Sequence, residues 1–136
     1  MAWVKNPLPL TTPDTQPFWD ALKRRELVLP KCKACAEFHY YPRPFCPNCF
    51  SCDLEWVKCS GRGKIYSYVI NHRPAPGFGN EAPYVIAVIE LEEGPRMMSN
   101  MTGVEPDPDK VQVDNPVEIV FEDVNDDLTM FKFRPA

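Results

Sequence analysis

Four cysteines constrain this chain more than any other feature of its sequence. Cys32 and Cys35 are separated by two residues, Cys46 and Cys49 are separated in the same way, and ten residues lie between the two pairs. Two tight turns that each present two thiolates suit one tetrahedral zinc ion. We therefore predict one bound Zn²⁺. Its role should be structural, because four protein ligands leave no position for an activated water.

The alternatives to zinc are disulfides or free buried thiols. Disulfides would require an oxidising compartment, and the stretch from Met1 to Pro7 lacks the apolar run of a secretory signal. The longest strictly apolar run, Tyr84 to Ile89, is also far shorter than the roughly 18 residues of a membrane span. We expect a cytoplasmic protein with no membrane association. Cys52 and Cys59 are interpreted as ordinary side chains outside the metal shell, although Cys52 could in principle replace a ligand.

The charge of the chain is distributed unevenly. The 136 residues carry a net charge of −4, but residues 1–49 hold seven Lys or Arg against four Asp or Glu. Residues 50–136 hold eight basic residues against fifteen acidic ones. An acidic surface repels phosphate backbones, so the larger part of the chain is poorly suited to nucleic-acid binding.

The remaining pattern predicts a mainly β protein. Sixteen prolines disfavour long helices. One short helix is expected to start near Thr15, with Pro17 in its first turn, and short strands are expected at 27–29, 38–41 and 54–59 around the cysteines. Five further strands, at 64–71, 84–91, 96–104, 116–121 and 128–133, suggest a small Greek-key barrel of the oligonucleotide/oligosaccharide-binding (OB) type. We divide the chain into an arm and helix (1–26), a zinc segment (27–59) and an OB-fold (60–136).

The short helix has two candidate contact surfaces. Phe18 and Trp19 share an apolar face, which either packs within the protein or helps to form a surface for a partner or ligand; the sequence leaves both possibilities open. Lys23, Arg24 and Arg25 form a basic end, which is either a solvated helix end or a site that meets a phosphate.

We find no catalytic set in the sequence. His39 is expected to be a packed or exposed ring rather than a ligand, and His72 ends a predicted strand. Gly61 and Gly63 lack the third glycine of a dinucleotide fingerprint, so we interpret them as permitting the turn into the barrel. The chain is therefore predicted not to be an enzyme by itself.

Several motifs in fixed order resemble a known family. Phe18-Trp19, the four cysteines, Gly61-x-Gly63, Pro83-Tyr84-x3-Val88, Gly94-Pro95 and Pro116-Val-Glu-Ile-Val-Phe121 follow one another. They resemble the domain-of-unknown-function-35 (DUF35) family across about Pro13 to Pro135. The resemblance implies an N-terminal helix, a rubredoxin-like zinc ribbon and a five-stranded OB-fold.

The resemblance also implies a function. Members of this family are typically non-catalytic partners of thiolase-fold enzymes that act on acyl-coenzyme A, so a hetero-oligomer is expected. We favour a partner similar to lipid-transfer-protein-like thiolases, acting as a retro-aldolase on steroid or lipid side chains. The alternatives are a bridging subunit between an acetoacetyl-CoA thiolase and a hydroxymethylglutaryl-CoA synthase, or a nucleic-acid-binding ribbon/OB module.

The predicted partner contacts are few. Phe78 lies between two glycines in the proline-rich loop 74–83, where an aromatic tip either reaches a partner or folds back on the barrel. Together with Phe18, Trp19 and the basic helix end, Phe78 completes the set of candidate partner or CoA contacts. Any contact with the CoA thioester is expected to occur within the partner complex.

Overall fold

A computed structural model describes residues 11–73 and 83–136 of the chain. These residues form one helix and seven strands, which confirms the mainly β class with an N-terminal helix, a zinc-ribbon segment and a closed five-stranded barrel. No helix within the described ranges has the length and apolar character needed to cross a membrane. The elements in chain order are α1 (Gln16–Lys23), β1 (Leu27–Cys32), β2 (Leu54–Cys59), β3 (Arg62–Asn71), β4 (Tyr84–Leu91), β5 (Arg96–Met101), β6 (Pro116–Asp123) and β7 (Thr129–Pro135).

The helix α1 begins where its sequence predicts. Thr15 is the N-cap residue and Pro17 lies in the first turn, where its missing N–H costs no helical hydrogen bond. The Thr15 hydroxyl does not cap the helix; it accepts a hydrogen bond from the Thr12 N–H at 3.0 Å instead. A helix of eight residues is marginal alone. It is held because Phe18 and Leu22 are fully buried against the rest of the protein.

The strands β1 and β2 form a two-stranded antiparallel sheet within the zinc segment (27–59), and we call this whole segment the ribbon. Their register pairs Leu27 with Cys59 at one end and Cys32 with Leu54 at the other. The prediction of a strand at 38–41 is wrong, because this segment forms only a single bridge, between Lys31 and Phe38. Pro42 follows directly and has no N–H to donate, so the ladder cannot continue through this segment.

The strands β3 to β7 close into a barrel. Their spatial order is β3, β4, β5, β7, β6, and β6 pairs again with β3. Every neighbouring pair is antiparallel except β5 and β7, which meet in parallel at Met101 and Phe133. The strand predicted at 96–104 ends at Met101, shortly before Gly103, whose φ of +69° leaves the extended conformation. The five predicted strands and the OB-type barrel are confirmed.

The strand β4 has one face inside the barrel and one face on its outer surface. Its nearly continuous apolar sequence predicted a buried strand, but burial alternates along it. Val85, Ala87, Ile89 and Leu91 point into the barrel and are buried, while the intervening side chains are half-buried on the outer face. The prediction therefore holds for one face only, because a closed barrel covers a strand on a single side.

Two glycines let β3 lie close to its neighbours. Gly61 has a φ of +77°, a left-handed conformation that glycine adopts at no steric cost. At Gly63 an added Cβ would collide with the backbone carbonyl of Glu90 on β4. The expectation that Gly61 and Gly63 permit entry into the barrel agrees with this geometry.

One hydrophobic core joins the helix, the ribbon and the barrel. Phe18 on α1 lies at its centre, with its ring centroid 5.1 Å from that of Trp19. It is also 5.9 Å from Tyr40 in the ribbon and 6.0 Å from Phe131 on β7. The helix thus packs on both β1 and β7 and fixes the ribbon against the barrel.

Candidate metal centre

The four predicted cysteine ligands lie in two turns of the same shape. In the first turn the Cys32 N–H donates to the Glu37 carbonyl at 2.9 Å and the Ala36 N–H donates to the Cys32 carbonyl at 2.8 Å. The second turn repeats both hydrogen bonds fourteen residues later, at 2.8 Å each, with Cys46 in the place of Cys32 and Phe50 in the place of Ala36. We call these turns the first and second knuckles, residues 32–37 and 46–51.

The sulfur atoms converge on one point. The Sγ atoms of Cys32, Cys35, Cys46 and Cys49 all lie within 4.8 Å of one another. The Cys32–Cys49 and Cys35–Cys46 Sγ distances are both 3.6 Å. Zinc–sulfur bonds of about 2.3 Å in a regular tetrahedron place the sulfurs about 3.8 Å apart. A disulfide needs sulfurs about 2 Å apart, so the arrangement fits a tetrahedral metal and does not fit disulfides.

The surroundings favour thiolates over thiols at part of this centre. The Asn48 side-chain amide donates to Cys35 Sγ at 3.6 Å, and its backbone N–H donates to Cys46 Sγ at 3.4 Å. The Asn48 amide and then the backbone N–H of Glu37 lower the pKa of Cys35 to about 7. Thiolates are the species that bind zinc, so these hydrogen bonds support metal binding.

The donor set determines what chemistry the centre can perform. Four thiolates complete a tetrahedron around zinc and leave no open position for water or substrate. Cys32 and Cys46 are buried, whereas Cys49 is exposed at the surface. When bound, the ion would pin the two knuckles together and would supply no activated water.

The other two cysteines lie outside this centre. Cys59 is buried in the core at the end of β2, where burial raises the pKa of its thiol to about 12. Cys52 is exposed and does not belong to the convergent group. Neither position contributes a ligand in this arrangement, as expected from the sequence.

The aromatic residues proposed as contacts on α1 are inside the protein. Phe18 has no exposed surface and Trp19 is 4% exposed. The Trp19 indole N–H donates to the Tyr41 hydroxyl at 3.1 Å, which ties the helix to the ribbon. Packing within the chain, one of the two alternatives left open by the sequence, accounts for both residues.

The basic end of α1 is partly engaged by carboxylates. Arg24 pairs with Glu26 at 3.2 Å. Arg25 forms a bidentate pair with Asp123 on β6, at 2.8 and 2.7 Å. Lys23 forms no ion pair with the residues described in the structure. A shallow cavity of about 510 Å³ opens beside this cluster and is lined by Lys23, Arg25 and residues 123–126 and 129.

Two further residues singled out by the sequence are Phe78 and His39. Phe78, a predicted contact residue, falls outside the described residues. His39 is buried in the ribbon, where burial lowers the pKa of its imidazole. His39 is not part of the metal centre.

The structure also reveals an aromatic pair that the sequence analysis missed. Phe45 directly precedes the second knuckle and Phe50 lies within it; their rings stack with centroids 6.3 Å apart and an interplanar angle of 28°. They are 37% and 74% exposed. One feature of the sequence could have indicated this pair: phenylalanine occupies the position directly after the second ligand pair.

Comparison with known proteins gives two family matches that together cover most of the chain. Residues 19–55 match the family described as "ChsH2, rubredoxin-like zinc ribbon domain". Residues 56–122 match "ChsH2, C-terminal OB-fold domain". The boundary between these matches falls within β2, at the end of the metal-binding segment.

Characterised relatives carry names from several complexes. A DUF35 domain-containing scaffold protein of Methanothermobacter thermautotrophicus is 38% identical over 83% of this chain and 89% of its own length. The benzoylsuccinyl-CoA thiolase subunit BbsA of Thauera aromatica is 30% identical over 76% of this chain and 72% of its own length. A probable enoyl-CoA hydratase alpha subunit of Thermomonospora curvata is 39% identical over 96% of this chain. The chain spans only 40% of the length of that hydratase subunit.

A solved structure matches nearly the whole chain. It is a chain of the Ltp2-ChsH2(DUF35) aldolase, with a TM-score of 0.80 and 38% sequence identity. The match covers 94% of this chain and 98% of the other.

Proposed function

Because this chain belongs to the DUF35 family, with its rubredoxin-like zinc ribbon and OB-fold, we propose that it is a non-catalytic accessory subunit. In this role it binds and supports a thiolase-fold enzyme that acts on an acyl-CoA substrate. The partner that fits best is a lipid-transfer-protein-like retro-aldolase that shortens steroid or lipid side chains. The partner would cleave the carbon–carbon bond, and this chain would supply a metal-pinned surface.

One observation carries the proposal more than any other. The similarity to the chain of the Ltp2-ChsH2(DUF35) aldolase runs through helix, ribbon and barrel without a large gap. A relative named as a thiolase subunit supports the same class of partner. The closed four-cysteine centre agrees with this role, because it offers no site for a reacting group.

Zinc and the surface charges have separate parts in this proposal. Cys32, Cys35, Cys46 and Cys49 would hold one structural Zn²⁺, which fixes the ribbon. Within the basic run, Lys23 is the candidate for a CoA phosphate, since Arg24 and Arg25 already pair with carboxylates. A cytoplasmic location is part of this proposal, because the four ligand cysteines must stay reduced to bind zinc.

The test is co-expression with the thiolase-fold protein encoded nearest to this chain in its genome. We expect the two proteins to co-purify, and we expect the complex to cleave its acyl-CoA substrate faster than the thiolase-fold protein alone. Failure to co-purify, together with equal activity of the partner alone, would contradict an accessory role. Turnover of an acyl thioester by this chain without any partner would contradict the absence of a catalytic site.

A second candidate function has its own support. Archaeal relatives of nearly the same length as this chain are named scaffold proteins. A scaffold that joins an acetoacetyl-CoA thiolase to a hydroxymethylglutaryl-CoA synthase would co-purify with both enzymes. Recovery of a single thiolase-fold partner would therefore favour the aldolase complex.

A further inference from the structure

The two knuckles have the same backbone but different side chains at one position. The residue that follows the second cysteine of each pair has a φ of +64°, at Ala36 in the first knuckle and at Phe50 in the second. The left-handed conformation is unfavourable for residues with a Cβ and favours glycine. Neither knuckle has glycine at this position, and phenylalanine is the bulkier of the two residues that adopt this unfavourable conformation.

Within its own chain, the Phe50 side chain makes few contacts that could offset this backbone strain. Its side chain is 74% exposed, and it does not belong to the hydrophobic core formed by the described residues. Its ring contact is with Phe45, which is itself exposed. A large apolar side chain held in a strained and exposed position points to a role outside the fold.

We propose that Phe45 and Phe50, the aromatic pair, insert into an apolar pocket of the partner enzyme and are the centre of the docking interface. This inference rests on the proposed function, because it takes the thiolase-fold enzyme as the occupant. The metal-pinned second knuckle would hold Phe50 in place before binding, with Phe45 stacked on it, so little conformational entropy is lost when the rings are buried. Aromatic side chains, phenylalanine among them, are enriched in protein interfaces.

The size and shape of the aromatic pair favour the larger partner enzyme over a second copy of this chain as the occupant. Two phenylalanines exposed to this degree present roughly 200 Å² of apolar surface. A stable interface buries about 800 Å² on each partner. Two projecting pairs also offer no concave surface to each other, whereas a larger enzyme can supply both a pocket and a surrounding contact area.

The decisive variant is Phe50→Gly, because a docking role and a structural role predict opposite effects. Glycine relieves the left-handed strain, so the zinc-loaded variant should unfold at the same temperature as the wild type or at a higher one. Affinity for the co-expressed thiolase-fold protein, measured by calorimetry, should fall at least about tenfold.

Ala36→Gly is the matched control, since it changes the same backbone position in the first knuckle without removing an aromatic ring. It should also preserve or raise thermal stability, and its affinity for the partner should stay within about threefold of the wild type. Phe45→Ala should weaken binding in the same direction as Phe50→Gly.

Three results would overturn this inference, and one of them separates it from the proposed function. If the wild type binds and Phe50→Gly loses less than tenfold in affinity, the docking role of the aromatic pair is refuted and the accessory role stays intact. An equal loss for Ala36→Gly would assign the effect to the knuckle backbone instead of the ring. Absence of binding by the wild type would refute the accessory role and this inference together.

Discussion

Replacing Phe18 by alanine should destabilise the whole protein, because this one ring packs against three parts of the structure. It contacts Trp19 on its own helix, Tyr40 in the ribbon and Phe131 in the barrel. The side chain has no exposed surface. Because the surrounding structure relaxes only partially, removal of the ring should leave a cavity between α1, the ribbon and β7.

The magnitude follows from the buried area. Phenylalanine buries roughly 200 Å², which at about 25 cal/mol per Å² corresponds to an upper bound of about 5 kcal/mol. Measured phenylalanine-to-alanine changes in cores cost about 3–5 kcal/mol. We expect the Phe18→Ala variant to lose about 4 kcal/mol of unfolding free energy, a large share of the about 5–15 kcal/mol that holds a domain together.

Urea unfolding of the zinc-loaded protein, followed by circular dichroism, measures this loss. Phe50→Ala is the control, because it removes the same ring from an exposed position and should change stability by no more than about 0.5 kcal/mol. A loss below about 1.5 kcal/mol for Phe18→Ala would refute the view that this ring joins the helix, ribbon and barrel into one core.

Three further predictions concern the metal, the barrel and the helix end. Elemental analysis should find about one zinc per chain, and chelation should expose the ribbon to proteolysis while the barrel resists; an unchanged digestion pattern would contradict a structural metal. Gly63→Ala should cost about 1–3 kcal/mol in urea unfolding, because the new Cβ meets the Glu90 carbonyl; a stability equal to that of the wild type would refute this close approach. Hydrogen bonds from Arg25 and then Thr129 lower the pKa of Asp123 to about 2, below its value of about 3.9 in the unfolded chain. The stabilisation by Asp123 is therefore complete above about pH 4 and is lost as the pH falls toward 2. The difference in urea midpoint between the wild type and Asp123→Asn should shrink over that range. A constant difference would contradict the pairing of Asp123 with Arg25.

The sequence predicted those features that depend on local spacing. The two cysteine pairs predicted the convergent sulfur atoms, because two-residue spacing requires a tight turn around the metal. Alternating apolar residues and turn signals located the five barrel strands with errors of a few residues. The helix start at Thr15 and Pro17 was equally local.

Features that depend on distant contacts could not be predicted. The pair between Arg25 and Asp123 joins residues that are 98 positions apart, and nothing in the local sequence of either indicates it. The same holds for the burial of Phe18, whose partners in the ribbon and on β7 are fixed only by the fold. The half-buried outer face of β4 was missed because an apolar run does not show which of its faces will be covered.

The position of α1 between β1 and β7 has a consequence for the order in which the chain acquires structure during synthesis. The helix leaves the ribosome first, yet the strand that completes its binding site, β7, is made last. Eight residues cannot remain helical without tertiary support. The N-terminal helix therefore completes its docking only after translation of β7, so a nascent chain truncated before β7 would contain a ribbon that can bind its metal and a helix that packs on the ribbon alone.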